Sequence, residues 1–389
     1  MRILIDATGL QASPEAALRF RRVVRSLLLA GGSTTYALTG WPERAEWDPA
    51  RLLSPLPRGA SRRIALREEP RAVREAQAPQ ASAYEARAPE AADGGPEVLY
   101  APLGIPRESR ALERGPVVAT FLSSGLEDDT RPLAPGARVA LQQVHRVLTL
   151  TRRTRERLLR GEGLSPERVT WVPPGTGPSD LALRPSGDSP VPDVPYIVTT
   201  GQVSSARNFA GILDAFRLYR RHSRRRIRLV VLGRAPLRMR WLAWWRGIHR
   251  HVDFAGDIDD YHRARTIASA GAFVAADHGD LSWFCAAEAL AWGVPVVAVR
   301  EPRLQEILGD AAIYSSPGCP GELALELSRC LECEDLSRVL AQRGIARARA
   351  FSWELCALRL LDLFAEVSAE WAGYNSCTHE SPLEAPACL

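Results

Sequence analysis

Short apolar runs alternate with amphipathic segments along most of this chain. The first run, Arg2–Asp6, predicts a strand. After Ser13-Pro14, apolar residues recur at helical spacing, which is typical of a helix with proline in its first turn. Thr34–Thr39 predicts the next strand, so the chain opens with a β-α-β unit.

Residues 41–97 interrupt this alternation. They are rich in Arg, Ala, Glu and Pro, and their few apolar residues do not recur periodically. Such a composition is typical of a mobile or loosely helical insert. The alternation then resumes with predicted strands at Val98–Tyr100, Val117–Phe121, Val147–Leu150 and Val169–Val172, and predicted helices at Pro135–His145 and Arg152–Arg160.

A stretch rich in Pro, Gly, Ser and Asp, Pro173–Pro195, separates this series from a second one. The second series has predicted strands at Tyr196–Thr200, Ile227–Leu232, Val252–Ala255, Ala272–Ala275, Val294–Val299 and Ala312–Tyr314, followed by helices at Ser337–Ala350 and Trp353–Trp371. Two successive β-α series predict an α/β protein with two Rossmann-like, doubly wound domains. The first domain is predicted at 1–180, a linker at 181–195, the second domain at 196–372 and a disordered tail at 373–389.

Composition and charge narrow the function classes. The 389 residues include 50 basic and 45 acidic side chains, a net charge of +5, and no lysine. A mixed-charge surface is the favoured interpretation, with a basic face for nucleic acid or anionic lipid as the alternative. No apolar run approaches the length of a membrane span, and the first residues do not resemble a signal peptide. A cytoplasmic protein is expected, with peripheral contact at the inner face of the membrane left open and no nucleic-acid partner.

Cysteine and histidine do not indicate a metal centre. All seven cysteines lie at or after Cys285, which does not suit a disulfide framework and indicates a reducing compartment. Cys330 and Cys333 form a CxxC pair within a predicted helix, without a second pair. The histidines do not fall at metal-ligand spacings, so no metal is predicted.

Three turns between a predicted strand and the next helix carry polar residues. They are Gly201–Asn208, Asp280–Phe284 and Val299–Gln305. In doubly wound sheets, ligands bind beyond the carboxyl ends of the strands, often at helix N-termini. A phosphate-bearing ligand is expected at the first turn because it ends in a cation beside a helix start.

Several ordered motifs in the second half carry a family resemblance. They are EALAWGVPVVA (Glu288–Ala298), EILGDAAIY (Glu306–Tyr314), the turn Gly201–Asn208, and Phe351-Ser352-Trp353. Together they resemble the donor-domain signature of the family-4 retaining glycosyltransferases, continuously from about Tyr196 to Phe364. The resemblance implies the GT-B fold, in which two Rossmann-like domains face a cleft. It also implies a nucleotide-sugar donor as substrate, an unidentified acceptor (glycan, lipid-linked or small molecule), and no cofactor or metal.

The resemblance also assigns roles to residues. Glu288 matches the acid that accepts hydrogen bonds from the ribose hydroxyls, Asp280 the acid that contacts the donor sugar, and Arg207 the cation on the diphosphate. Asp280 and Arg207 are the implied catalytic residues. The implied nucleotide-sugar contacts are Gly201, Gln202, Arg207, Asn208, Asp280, Ser282, Trp283, Phe284 and Glu288. Each acid has a structural alternative as a helix-start or capping residue, as does Glu306, and His278 is a weaker candidate for a general base.

Some positions depart from the family pattern. Gln202 replaces a basic residue, Leu281–Trp283 replaces Gly-Phe-Gly, Ala16–Leu18 replaces Gly-Ile-Gly, and Leu122 stands in place of a histidine. They leave two hypotheses open. The first is a glycosyltransferase whose nucleotide-sugar donor carries a hexose or a deoxysugar. The second is a catalytically degenerate GT-B protein that binds a nucleotide or a partner.

One further cluster, Trp241, Trp244 and Trp245, lies at helical spacing among Arg238, Arg240 and Arg246. Tryptophan and arginine together suit a membrane interface. Packing of a surface helix on its sheet or on a partner is the alternative.

Overall fold

The computed structural model describes residues 1–7, 14–30, 33–39, 64–66, 97–102, 115–121, 133, 135–176, 194–200, 206–233, 235–256, 258, 260–276 and 280–379. For 14–19, 38–39, 64–66, 97, 135–136, 206–207, 260, 280–282 and 374–379 it describes the backbone only. Two parallel sheets with helices on their faces make up these residues, as the sequence predicts.

The first sheet has seven parallel strands within the described residues, in the order β3-β2-β1-β4-β5-β6-β7. They are β1 (Arg2–Asp6), β2 (Thr35–Thr39), β3 (Ile64–Leu66), β4 (Glu97–Ala101), β5 (Val117–Phe121), β6 (Arg146–Thr149) and β7 (Val169–Trp171). The helices of this half are α1 (Pro14–Ala30), α2 (Pro135–Gln143) and α3 (Arg152–Glu162). Within the predicted insert 41–97, Ile64–Leu66 forms the edge strand, and the rest up to residue 96 lies outside the described residues.

The second sheet has six parallel strands in the order β10-β9-β8-β11-β12-β13, again among the described residues. They are β8 (Tyr196–Thr200), β9 (Arg228–Leu232), β10 (Val252–Gly256), β11 (Ala272–Ala275), β12 (Val296–Val299) and β13 (Ala312–Ser315). The helices are α4 (Ala206–His222), α5 (Leu237–Trp245), α6 (Asp260–Ala268), α7 (Asp280–Ala291), α8 (Pro302–Leu308), α9 (Pro320–Glu332), α10 (Glu334–Ala348) and α11 (Trp353–His379).

Successive strand residues supply two different cores. In β1, Ile3 and Ile5 pack in the same buried cluster as Phe20 of α1, whereas Leu4 packs with Leu158 of α3 on the opposite face. Side chains of a strand alternate between faces, so a strand covered on both sides reads as a continuous apolar run. This explains why the short runs in the sequence predict strand positions well.

The last helix joins the two halves. Phe364 of α11 lies 5.0 Å from Tyr100 of β4, ring centroid to ring centroid, and Trp371 makes an edge contact with His145 at 4.7 Å. Glu370 pairs with Arg146 of β6. A helix that the sequence assigns to the second domain therefore packs on the first sheet.

The same helix is longer than predicted. It continues through Gly373 to His379, whereas the sequence predicts a disordered tail from 373. A single glycine inside a long helix costs only about 1 kcal/mol, too little to end it. Residues 380–389 lie outside the described residues.

The start of the Pro- and Gly-rich stretch Pro173–Pro195 is fixed to the second half of the chain. Thr176 bridges to Ser352, and its hydroxyl donates to the carbonyl of Phe351 at 3.2 Å. A Cβ at Gly175 would overlap the backbone of Trp353. Glycine is therefore required where the chain leaves the first domain and passes the Phe-Ser-Trp motif. The segment 177–193 is outside the described residues.

The CxxC pair does not lie within one helix, contrary to the sequence prediction. Helix α9 ends at Glu332, so Cys330 is buried in its last turn and Cys333 is exposed in the connection to α10. Burial raises the pKa of the Cys330 thiol to about 12, which leaves it protonated and unreactive at neutral pH.

Candidate functional site

Helices α4 and α7 both begin at the carboxyl edge of the second sheet. Strand β8 leads into α4, and strand β11 leads into α7. The two strands are hydrogen-bonded neighbours, with Ile197 opposite Ala272. Neighbouring strands lie about 4.8 Å apart, so α4 and α7 follow adjacent strands at this edge. The first-turn amides of both helices carry partial positive charge, which suits an anionic group at this edge.

Arg207 and Asn208 open helix α4. Asn208 is half-buried, and its buried Nδ2 atom has no hydrogen-bond acceptor among the described residues. The side chain of Arg207 is not described. Gly201 and Gln202 lie outside the described residues, so their predicted roles in the turn stay predictions.

Asp280 is the first residue of α7, at the edge where a donor sugar is predicted, although its side chain and that of Ser282 are not described. Trp283 and Phe284 are buried, and the ring of Phe284 lies 6.0 Å from that of Trp353. Phe284 is also one turn into the helix, where its amide is engaged by the helix itself. The free amides within this helix are those of its first three residues, Asp280–Ser282.

Glu288 lies two turns into α7, at the contact between the two halves of the chain. Its carboxylate accepts a hydrogen bond from Arg22 of α1 at 3.0 Å. Its other partner is Arg263 of α6, whose Nη2 lies 3.3 Å from Oε1 and whose Nη1 contacts Oε2. Exposed fractions are 0% for Glu288, 3% for Arg22 and 7% for Arg263. We call these three residues the buried triad.

The buried triad is an ionised cluster. Burial alone would raise the pKa of Glu288, but the charges of Arg263 and Arg22 outweigh it and lower that pKa. Burial likewise opposes the charge of Arg263, and Glu288 with Cys285 outweighs it and raises the Arg263 pKa. Two guanidinium groups and one carboxylate leave the cluster with a formal charge of +1. The predicted ribose-binding carboxylate is thus held by two cations, one of them from the first domain.

Glu306 makes a second contact across the two halves. Its carboxylate accepts hydrogen bonds from the backbone amides of Arg152 at 2.6 Å and Arg153 at 3.1 Å. It therefore caps α3 of the first domain rather than its own helix α8. Helix α8 is capped by Glu301, which accepts from Arg303 N at 2.8 Å and Leu304 N at 2.9 Å.

The other predicted positions cannot be placed. His278 and Leu122 are outside the described residues, and the side chains of Ala16–Leu18 are not described. Among the residues that are described, no cluster of His, Cys, Asp and Glu could hold a metal ion. In the same part of the chain, no helix is long and apolar enough to cross a membrane.

Comparison with solved structures identifies the architecture. A glycosyltransferase from Rickettsia africae superposes with a TM-score of 0.64 at 11% identity, covering 94% of this chain and 98% of that one. Anabaena HepE, determined with UDP and glucose, gives a TM-score of 0.61 at 14% identity, covering 94% and 99%. The fold is GT-B. In this fold, the carboxyl edge of the second sheet and the buried triad lie where the two domains meet.

Sequence comparison agrees with this architecture. Residues 194–333, from just before β8 to just after α9, match the family model of glycosyl transferases group 1. The O-antigen chain mannosyltransferase B of Escherichia coli is 25% identical over 172 residues, which cover 43% of this chain and 45% of that protein. The chain spans between 45% and 65% of the length of the curated relatives it matches.

Proposed function

We propose that this chain is a retaining glycosyltransferase that transfers a hexose or deoxysugar from a nucleotide-sugar donor to a glycan acceptor. One observation carries the proposal. The carboxylate of Glu288 lies at the contact between the two domains, on a helix that begins, like α4, at the carboxyl edge of the second sheet. Such a site offers an electropositive end for a diphosphate and a carboxylate for two hydroxyl groups.

We assign each residue a role that suits its charge. Arg207 and the first-turn amides of α4 and α7 hold the diphosphate, with Asn208 Nδ2 as a further donor. Asp280 contacts the donor sugar, and Glu288 accepts hydrogen bonds from the ribose. The acceptor hydroxyl attacks the anomeric carbon from the side on which the diphosphate leaves. The bond from that carbon to the diphosphate oxygen breaks, and the hydroxyl proton leaves with the diphosphate.

Positive charge on the leaving diphosphate is the main catalytic contribution in this scheme. Arg207 and two helix N-termini supply that charge without a metal ion. Transfer is therefore expected to proceed at the same rate in EDTA as in Mg²⁺. A rate that requires a divalent cation would contradict this part of the proposal.

The first prediction concerns Arg207. Arg207→Ala should weaken binding of UDP or GDP, whichever the protein prefers, by about tenfold to a hundredfold, because a charge-assisted contact is lost. Binding of the free nucleoside should change little. Calorimetry measures both, with Arg221→Ala, at the exposed end of the same helix, as the matched control. Equal losses for nucleotide and nucleoside would remove Arg207 from the diphosphate site.

The buried triad adds a condition for ribose binding. Both Arg22 and ribose hydroxyls donate hydrogen bonds to a carboxylate, so the ribose takes the place of Arg22 when the donor binds. The second prediction follows from this exchange. Arg22→Met should tighten UDP or GDP binding by several-fold, since the ribose no longer competes with a guanidinium group. An unchanged or weaker affinity would show that Glu288 does not exchange partners, and the ribose assignment would fail.

Turnover separates the enzyme from a degenerate binding protein. Release of nucleoside diphosphate from UDP-glucose, GDP-mannose and deoxysugar donors is measured with an oligosaccharide mixture as acceptor. The enzyme is expected to release diphosphate in an acceptor-dependent way, and Asp280→Asn to abolish release while nucleotide affinity is retained. Nucleotide binding without any turnover would instead support the binding module.

A further inference from the structure

Helix α5 exposes a row of large apolar side chains. Leu237 is 77% exposed, Trp241 60%, Trp244 58% and Trp245 74%. Their spacing of four, three and one residues puts them on one side of the helix. We call this row the tryptophan face. An isolated exposed apolar residue needs no explanation, but four on nine residues form a contiguous patch that marks an interaction site.

The fold of the domain does not require this face. The opposite side of α5 is packed through Met239 and Ala243, which are buried. The arginine Arg240 lies over the ring of Phe254 in β10, with Cζ 5.0 Å from the centroid, and Arg246 holds Asp214 of α4 through hydrogen bonds of 2.8 and 2.9 Å. The helix thus packs on its own domain, as one alternative offered by the sequence has it, but the tryptophans take no part in that packing.

The stretch of sequence that contains the tryptophan face carries charged residues of one sign, apart from the flanking Asp214 and Asp253, which pair with Arg246 and Arg228. The segment from Ala215 to Val252 contains no Asp or Glu, although the whole chain is nearly balanced at 50 basic and 45 acidic residues. It contains twelve arginines: Arg217, Arg220, Arg221, Arg224, Arg225, Arg226, Arg228, Arg234, Arg238, Arg240, Arg246 and Arg250. On and beside α5, Arg238, Arg240 and Arg250 are exposed.

We propose that the tryptophan face docks on the surface of an anionic phospholipid bilayer. Indole rings settle at the boundary between headgroups and acyl chains, where their apolar body is buried and their N–H stays hydrated. Arginines beside them bind lipid phosphates, and the anionic surface attracts each of them. A protein partner would also suit tryptophan and arginine, but an acid-free segment of this length, with exposed arginines beside the tryptophans, matches a uniformly anionic membrane surface better than a mixed-charge protein.

The position of α5 determines which part of the protein lies beside a docked bilayer. The helix begins five residues after β9 ends, at the carboxyl edge of the second sheet that also carries the candidate site. A bilayer held against α5 thus lies beside the entrance to the cleft. This last point rests on the proposed function, whereas the docking itself does not.

Flotation with vesicles tests the proposal. The full chain is mixed with vesicles of phosphatidylcholine alone, or of phosphatidylcholine and phosphatidylglycerol in equal parts. Binding is expected only to the anionic vesicles and is expected to fall as salt rises. The variant Trp241→Gln/Trp244→Gln/Trp245→Gln should bind at least about tenfold more weakly, because three interfacial side chains are lost. Leu325→Gln/Leu358→Gln, which removes exposed leucines from α9 and α11, is the matched control and should bind as the wild type does.

The role of the arginines beside the tryptophan face is tested by comparing two variants that have the same net charge. The variant Arg238→Gln/Arg240→Gln/Arg250→Gln should bind anionic vesicles more weakly by roughly fivefold for each arginine. The variant Arg160→Gln/Arg329→Gln/Arg338→Gln carries the same net charge and should bind normally. Nucleotide affinity, measured on every variant, is expected to match the wild type and reports on the fold and the donor site separately from docking.

Three results would overturn the proposal. The first is no binding of the wild-type chain to anionic vesicles. The second is equal loss of binding in the two arginine variants, which would show that net charge alone matters. The third is a wild-type dimer that the tryptophan variant converts to a monomer without any vesicle binding, which would assign the face to a second copy of the chain.

Discussion

Glu288 has one carboxylate for two buried guanidinium groups, and this stoichiometry determines what each substitution does. Removing Arg22 leaves the Glu288–Arg263 pair, which is neutral. Removing the carboxylate takes away the acid that Arg22 and Arg263 share. Breaking a buried ion pair costs about 3–5 kcal/mol because the remaining charge is uncompensated. The two sides of the same contact should therefore differ strongly in their effect on stability.

The third prediction measures this asymmetry. Glu288→Gln should lower the free energy of unfolding by about 3–5 kcal/mol, and Arg22→Met by less than about 1.5 kcal/mol, since methionine keeps much of the packed volume. Urea unfolding followed by circular dichroism gives both values. Similar losses for the two variants would show that the cluster does not behave as one carboxylate shared by two cations.

The pH dependence provides the control. The pKa of Glu288 is lowered in the folded protein from its ordinary value of 4.5, so its ionic contribution is present above that value and is lost as the pH falls through the folded-state pKa. The stability difference between wild type and Glu288→Gln should thus shrink in acid. A difference that stays constant from neutral pH into acid would mean that packing, not charge, causes it.

Two glutamates of neighbouring turns act on different helices. Glu301 caps α8 within its own domain, whereas Glu306, on α8, caps α3 of the other domain. Capping contacts contribute about 0.5–2 kcal/mol each to the free energy of unfolding, so the two side chains stabilise the fold by comparable amounts. They differ in what they hold together, because only Glu306 joins elements of both sheets.

The fourth prediction separates these roles. Glu301→Ala and Glu306→Ala should each lower stability by about 1 kcal/mol. Only Glu306→Ala should widen the distribution of interdomain distances, which double electron–electron resonance between labels on α3 and α9 would detect. A widening in both variants would assign the effect to α8 itself rather than to the contact between domains.

At the scale of the whole molecule, α11 contributes to the stability of the sheet at the other end of the chain. Phe364 is buried against Tyr100 of β4. A Phe→Ala change in a core costs about 3–5 kcal/mol. The loss should fall on the first domain although residue 364 belongs to the second half of the sequence.

The fifth prediction locates that loss. Phe364→Ala should increase amide hydrogen exchange in β1 and β4 more than in β8 and β11. Phe216→Ala, in a core that belongs to the second sheet alone, should have the opposite pattern. Faster exchange confined to β8 and β11 in the Phe364 variant would contradict the packing of α11 on the first sheet.

The sequence predicts the described strands other than β3, which lies in the predicted insert, and most helices, because both are local patterns. Strand runs such as Tyr196–Thr200 are apolar on both faces, and turns such as Gly201–Asn208 follow directly from them. The architecture then follows from the succession of β-α units. Two Rossmann-like domains were accordingly predictable from the pattern, whereas the GT-B fold was implied by the family resemblance.

The partners of the predicted site residues were not predictable in this way. Arg22 and Glu288 are 266 residues apart, and no local pattern connects them. One signal was available: Arg22 lies between Phe20 and Val23 in the apolar stripe of α1, and a buried arginine requires a charged partner. The sequence does not say which carboxylate this is, nor that Glu306 caps a helix of the other domain.

The position of α11 also has a consequence during synthesis. The first sheet and α1 leave the ribosome well before residues 353–379 exist, so the surface that α11 covers stays open while more than half of the chain is still being made. Exposed apolar surface on a nascent domain favours aggregation and chaperone binding. The first domain should therefore reach its protease-resistant state only after α11 has left the ribosome, and stalled chains that stop before α11 should remain bound to chaperones.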